Sequence, residues 1–352
     1  MYRICFPFPG DSVGGSHKSA LLLIEKLNKK KFEIMIVLHS EGKLSKYLDS
    51  KGIRYELLLI NPLAGEKPSA FSSIVSIFKS FLVIKNFIQI NNIDLVHTND
   101  LRCNLTWSLV SKIYCKHIWH QRTIMSGSYI WNFFGYLTNK IIAISNSVSL
   151  SIRPHIEREV IFNPFEKISY NKKLCKSKLK VKLGIEDDKP IVGFIGRLKY
   201  DKGIELFSQL AKEMDHINFV AFGDGNLNKL FSKNLTINSF SEPIEPIITG
   251  LDIIVCPSHI EGFGRVLVEA MLLETPVVAS NISAHLEVSE NGKYVTIVAN
   301  NEAQEYIKLI NKIIFHENHD YTKSAKNYAI KKFINNNGIL KVEKIYKNLI
   351  SR

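Results

Sequence analysis

Glu261-Gly262-Phe263-Gly264-Arg265-Val266-Leu267-Val268-Glu269-Ala270 is the stretch on which the reading of this chain turns. Ahead of it, Asp252 to Pro257 has the apolar, β-branched character of a strand, and Ser258-His259-Ile260 opens a loop. Behind it, Arg265 to Glu274 has helical spacing, and Pro276 to Ser280 reads as the next strand. Glycines let such a loop approach a ligand closely, and the first turn of the helix offers unpaired amides to an anion. Glu261 lies before the helix and Glu269 more than a turn inside it, so two carboxylates can serve one ligand. A carboxylate that accepts from vicinal hydroxyls is a compact way to grip a ribose or a hexose. Taken alone, the stretch reads more readily as a Gly-rich turn with two surface glutamates. The rest of the chain decides.

Working outward, short apolar runs alternate with longer helical patterns. Candidate strands are Ile4 to Pro7, Glu33 to His39, Asp94 to His97, His117 to His120 and Ile141 to Ser145. A second series follows at Ile191 to Ile195, Asn218 to Phe222, Asp252 to Cys256 and Pro276 to Ala279. Runs such as Ile191-Val192-Gly193-Phe194-Ile195 are apolar throughout, as strands covered on both faces must be. The alternation predicts an α/β chain with parallel sheets. At 352 residues the chain exceeds the size one core usually supports, so two domains are expected. The break falls between Asn163-Pro164 and Lys189-Pro190, across a Lys-rich linker with a short helix.

The Glu261 to Ala270 stretch resembles the donor-site signature of the family 4 glycosyltransferases: a Glu, seven residues, a second Glu, with Gly-Phe-Gly after the first. Other matches follow in the family's order. Phe194-Ile195-Gly196-Arg197-Leu198 with Lys202-Gly203 is similar to its Gly-Arg-Leu and downstream Lys-Gly, which puts two cations beside a helix N-terminus. Gly223-Asp224-Gly225 resembles its Gly-x-Gly turn, and Val160 to Pro164 its Ile-x-Asn-Gly, with Pro164 in place of glycine. In the first half, Gly14-Gly15-Ser16 lies between a strand and the helix of Ala20 to Leu27, as does the family's glycine loop. Asp94 to Asn99 resembles Asp-x-x-His-x-His, with Asn99 replacing the second His. His120 ends a strand where the family places a His facing the reacting sugar, and Gln121 departs from its usual Asp.

The resemblance implies a GT-B fold, two Rossmann-like domains with parallel sheets facing across a cleft. Residues 1–165 would form the acceptor domain, with the C-terminal helix of about 339–352 packing back on it, and 166–338 the donor domain. It implies a retaining glycosyltransferase that moves a hexose-type sugar from a nucleoside diphosphate sugar onto a glycan or lipid-linked oligosaccharide, in cell-surface polysaccharide assembly. His120, Arg197, Lys202 and Glu261 would carry catalysis. Gly15, Gly196, Arg197, Lys202, Gly223, Glu261, Gly262, Phe263, Gly264 and Glu269 would bind the donor, with Glu269 on the ribose. Ser16, His97, Asn99 and Arg122 would face the acceptor. The donor, of UDP or GDP type, is a co-substrate, and no cofactor is expected. No Asp-x-Asp marks a metal site, so metal-independent transfer is expected, with Arg197, Lys202 and the Gly262 to Gly264 amides meeting the charge of the departing diphosphate.

Composition limits the alternatives. Hydrophobic residues make up 45% and charged residues 22%, a globular balance. Five cysteines without close pairs suit a reducing cytoplasm rather than a disulfide framework. Met1 to Pro9 reads as a strand with no basic leader, so no secretory signal is expected. A net charge of +13 fits a phosphorylated substrate, nucleic acid or an anionic membrane face. The lysines are scattered, and no nucleic-acid module accompanies them, so nucleic acid is not an expected partner. The apolar Ala70 to Ile90 stretch, interrupted by Lys79 and Lys85, reads as an amphipathic or buried helix, not a span. With the charge it suggests peripheral attachment to the inner face of the membrane. Two other readings stand further off. A nucleotide-sugar 2-epimerase shares the two-domain plan but gives no reason for the Glu261 to Glu269 signature. A basic glycan- or nucleic-acid-binding protein gives none for glycine loops at strand ends.

Overall fold

A computed structural model describes residues 1–60, 70–125, 135–153, 156–225, 232–240, 243–315 and 321–351, with backbone alone across 70–79. The chain divides into two compact units, Met1–Phe165 with Asn336–Arg352, and Glu166–Asn335. The second unit therefore ends before the expected Gly338.

The first unit contains β1 (Tyr2–Phe8), α1 (Gly15–Lys26), β2 (Phe32–Leu38), α2 (Lys43–Ser50), β3 (Glu56–Leu57), α3 (Ala70–Ile90) and β4 (Leu95–Thr98). It continues through α4 (Leu101–Tyr114), β5 (Lys116–Gln121), β6 (Lys140–Ala143), α5 (Asn146–Leu150) and β7 (Arg158–Val160). Its strands form a parallel sheet in the order β3-β2-β1-β4-β5-β6-β7. Alternate residues of β1 serve opposite faces, as a period of two requires. Ile4, Phe6 and Phe8 pack with α1 residues Ala20, Leu23 and Ile24, while Cys5 joins Ile84, Phe87 and Ile88 of α3 and Trp107 of α4. The Asp100 carboxylate accepts from the Cys103 amide at 2.7 Å and starts α4. The first helix begins at Gly15, not Ala20, so Gly15 and Ser16 form its first turn instead of a loop.

The second unit contains α6 (Lys172–Leu183), β8 (Ile191–Ile195), α7 (Ile204–Glu213), β9 (Asn218–Phe222), β10 (Leu235–Asn238) and α8 (Glu245–Gly250). It continues with β11 (Ile253–Cys256), α9 (Arg265–Leu272), β12 (Val277–Ala279), α10 (Ser283–Val288), β13 (Thr296–Ile297), α11 (Ala303–Phe315) and α12 (Tyr321–Phe333). Its parallel sheet runs β10-β9-β8-β11-β12-β13. The expected linker helix is α6, capped by Asn171 and closed by Gly184 in the left-handed region.

After α12 the chain returns to the first unit as α13 (Asn337–Ile350). Ile339, Val342, Ile345 and Tyr346 lie in the core formed by β1, α1 and β2, and Glu343 accepts from the Asn28 amide at 2.8 Å. In each sheet the strand order reverses beside the first strand, between β1 and β4 and between β8 and β11. Ligands of open α/β sheets bind at the carboxyl ends of strands at such points.

Candidate active site

In the second unit, both loops leaving the switch point carry the residues singled out in the sequence. Gly196, Arg197 and Leu198 follow β8, and a single 3-10 turn, Tyr200–Lys202, holds Lys202. Gly203 then adopts φ +73°, and a Cβ there would lie 2.2 Å from the Pro257 carbonyl oxygen. Only glycine lets the two loops approach this closely. The contact is sealed by the Asp201 carbonyl, which accepts from the His259 and Ile260 amides at 3.0 and 3.3 Å. Gly223 makes a similar approach to Gly196, where a Cβ would meet the Gly196 carbonyl oxygen, and so brings the turn after β9 beside the turn after β8.

The result is a compact ion pair. Lys202 Nζ donates to Glu261 Oε2 at 2.5 Å and to the Ile260 carbonyl at 3.3 Å, and the two side chains retain 15% and 26% exposure. The Gly262 amide donates to Glu261 Oε1 at 3.1 Å. Burial would raise the Glu261 carboxyl, but the Lys202 charge and hydrogen bond, His285 and the Gly262 amide outweigh it and hold the group below its ordinary range. Arg197 is more open and donates to Asp201 Oδ2 at 3.3 Å. One helical turn into α9, Arg265 donates to Glu269 Oε1 through Nε at 3.1 Å and NH2 at 2.9 Å. This fork holds the second carboxylate in one orientation. Gly264 caps the start of α9, so the Gly262 to Gly264 amides border the same pair of carboxylates. Phe263 is the exception: its ring is buried edge-on against Phe333, 5.8 Å between centroids, so its side chain packs the core behind the loop.

Sequence reasoning overlooked two groups here. Arg265 was quoted without a role. His285 is buried beside Gly264, its Nδ1 donates to the Ser280 carbonyl at 3.1 Å, and burial pushes the ring down to about 4 against the pull of Glu261. A lone His in the next helix carries no pattern that would have signalled it.

In the first unit, the carboxyl ends of β4 and β5 bring His97, Asn99, His120 and Arg122 together. His97 Nε2 lies 3.1 Å from His120 Nδ1, and His97 Nδ1 lies 2.5 Å from the Tyr346 hydroxyl. Arg122 donates to Asn99 Oδ1 at 2.8 Å, to Asn163 Oδ1 at 2.7 Å and to His120 Nδ1 at 3.4 Å. Burial first, then the Arg122 charge, holds both imidazoles well below their ordinary value, so both are neutral. The expected acceptor ligands His97, Asn99 and Arg122 are thus buried and engaged with one another, and they support His120. Ser16 is half-buried and Gly15 exposed in the first turn of α1, apart from this cluster's hydrogen bonds. Asp11 and Arg102, paired by two hydrogen bonds of 2.5 and 3.1 Å after β1, were not anticipated. Nor was Tyr346, 249 residues from its partner.

Among the described residues no group of three or more His, Cys, Asp or Glu side chains could hold a metal ion. Lysine, arginine and amides are what the second unit offers an anion, and its two fixed carboxylates can accept from hydroxyls.

Residues 176–332 match the family described as Glycosyl transferases group 1. The whole chain also superposes on HepE from Anabaena, solved in complex with UDP and glucose, with a TM-score of 0.82 at 20% identity over 100% of both chains. The chain has the GT-B fold, and the family match lies within its second unit. Two curated relatives match this chain over most of their length. The Klebsiella pneumoniae 42.6 kDa protein in the cps region is 29% identical, with 79% of this chain and 84% of the relative covered. The O-antigen biosynthesis glycosyltransferase WclY of Escherichia coli is 24% identical over 96% of this chain and 92% of the relative.

Proposed function

We propose that this chain is a glycosyltransferase that takes a hexose-type sugar from a nucleoside diphosphate sugar, UDP or GDP, and transfers it with retention to a glycan or lipid-linked oligosaccharide in cell-surface polysaccharide assembly. The observation that carries this reading is the Lys202–Glu261 pair at the switch point, with Arg197 beside it and Glu269 one helix turn beyond Arg265. Cleaving the bond from the anomeric carbon to phosphate builds negative charge on the departing diphosphate. Lys202, Arg197 and the amides before α9 would stabilise that charge without a divalent metal. Glu261 would grip the sugar and Glu269 the ribose. The acceptor hydroxyl would attack on the face that the diphosphate leaves, passing its proton to the phosphate. His120 would donate to a sugar hydroxyl. The relatives WclY and the cps-region protein, and the UDP and glucose of HepE, support the pathway and the donor class.

The decisive experiment is a thermal-shift panel of UDP, GDP and ADP, followed by diphosphate release with and without acceptor glycans. Stabilisation by one nucleotide is expected, about 2.7 kcal/mol at a hundredfold excess over Kd. The released diphosphate should require acceptor, persist in EDTA, and accompany a product whose anomeric configuration matches the donor. Turnover that vanishes with EDTA would remove the metal-free part. Indifference to every nucleotide would remove the whole reading.

A lipid-linked acceptor would be met at a membrane. No described helix is long and apolar enough to cross one. Leu82, Val83 and Ile90 of α3 and Leu109 and Ile113 of α4 are exposed, with the exposed Lys112 and the half-buried Lys85 beside them. Such an apolar and basic surface would bind anionic vesicles. Flotation with anionic but not neutral liposomes is the expected result, and none at low salt would refute it.

A further inference from the structure

The histidine pair of the first unit has a direction, and it starts on the last helix. Arg122 can only donate, so His120 Nδ1, 3.4 Å from its NH2, must accept. His120 Nδ1 therefore carries no proton, and the neutral ring holds its proton on Nε2. His97 Nε2, 3.1 Å away, must then be the N–H that donates to the same atom. That leaves His97 Nδ1 as an acceptor, and among the described residues the group that hydrogen-bonds to it is the Tyr346 hydroxyl at 2.5 Å. The hydroxyl is fully buried and its ring meets His97 edge-on at 5.7 Å, so it has this single productive orientation. Phe6 stacks on His97 at 4.7 Å and packs against one face of its ring. At the far end, His120 Nε2 is buried and has no acceptor among the described residues. A buried donor left in this way calls for a partner from outside the fold.

We propose that Tyr346 is a positioning residue: by donating to His97 Nδ1 it fixes the tautomers of His97 and His120 and so presents His120 Nε2–H as a hydrogen-bond donor. Replacing the hydroxyl leaves His97 Nδ1 without a donor. The Nε2–H form of His97 thereby loses its stabilising partner, so the Nδ1–H form, which sets its Nε2 lone pair against that of His120 Nδ1, competes with it. In that form the pair can no longer satisfy both Arg122 and itself in one arrangement. The relevance of this to transfer rests on the reading above, in which His120 touches a sugar. The tautomers themselves do not.

The test is long-range proton–nitrogen NMR on the full chain labelled with ¹⁵N-histidine, with His97→Asn and His120→Asn supplying the assignments. In the wild-type protein both residues should give the Nε2–H pattern. In Tyr346→Phe, which keeps the ring and its packing, His97 should populate the Nδ1–H form. Donor KM should stay near the wild-type value while kcat falls on the order of ten- to a hundredfold. Unchanged nitrogen shifts in the variant overturn the proposal. Shifted tautomers with unchanged kcat uphold the tautomer device and instead overturn the role of His120 in transfer. If Tyr346→Phe does not fold, the wild-type spectrum alone decides: His97 in the Nδ1–H form refutes the relay.

Discussion

Lys202 and Glu261 constrain each other, so changing either alters two things. Lys202→Ala removes the cation and leaves a half-buried carboxylate uncompensated; kcat should fall about a hundred- to a thousandfold. Near-normal turnover in a folded Lys202→Ala protein would take the lysine out of the mechanism. Glu269→Ala should act differently, raising donor KM more than it lowers kcat, because the lost contact is made equally in ground and transition states. The pH response of Glu261 follows from its depressed carboxyl. A group whose folded value lies below its unfolded one contributes stability above the unfolded value, about 4.3, and loses it as pH falls through the folded one. Melting temperature should therefore drop less steeply between about pH 5 and pH 3 in Glu261→Gln than in the wild type. These two acids were legible in the sequence because they sit in one short segment with a recognisable spacing. Tyr346 and Arg122 were not, since nothing local in a Tyr on an amphipathic helix tells which strand end it will meet.

Among the elements, the turn of Tyr200–Lys202 and the loop before α9 act as one piece. Gly203→Ala would force a side chain into the left-handed region and against the Pro257 carbonyl. A loss of more than about 1 kcal/mol in urea unfolding is expected, with a fall in activity larger than stability explains, because Lys202 moves away from Glu261. The long apolar strands were readable because burial on both faces leaves no polar residues to confuse the period. The short edge strands β3, β7, β10 and β13 escaped notice, having two to four residues each. The start of α1 was misplaced because glycine and serine are poor helix formers inside a helix, yet they cost little in its first turn. The role of α13 can be tested with Ile339→Ala. A buried branched residue lost from the core of the first unit should cost about 2–5 kcal/mol, measured by urea unfolding of the full chain.

Taken whole, the protein encloses several of its histidines. His39, His97, His117, His120 and His285 are all enclosed, and burial lowers each ring, to about 4 for His39 and His285 and about 3 for His117. Folded rings stay neutral where the unfolded chain takes up protons, below about pH 6.5. Stability should thus be full above that value and decline as the solution is acidified through pH 6 and 5, which a series of urea titrations would reveal as a positive slope with pH. A flat profile would mean these rings are not enclosed in solution. The two-unit plan itself was visible in the repeated strand and helix pattern, and the return of the last helix was expected from the family resemblance; which residues it would meet needed the structure. That return sets an order of events at the ribosome. Glu166–Asn335 is one continuous segment and can complete its core by itself, whereas the unit begun first must wait for residues that follow the second unit. Chains truncated before Asn336 should therefore carry a protease-resistant second unit joined to a still-cleavable first one, and His97 will meet its tyrosine only after the second unit has been made.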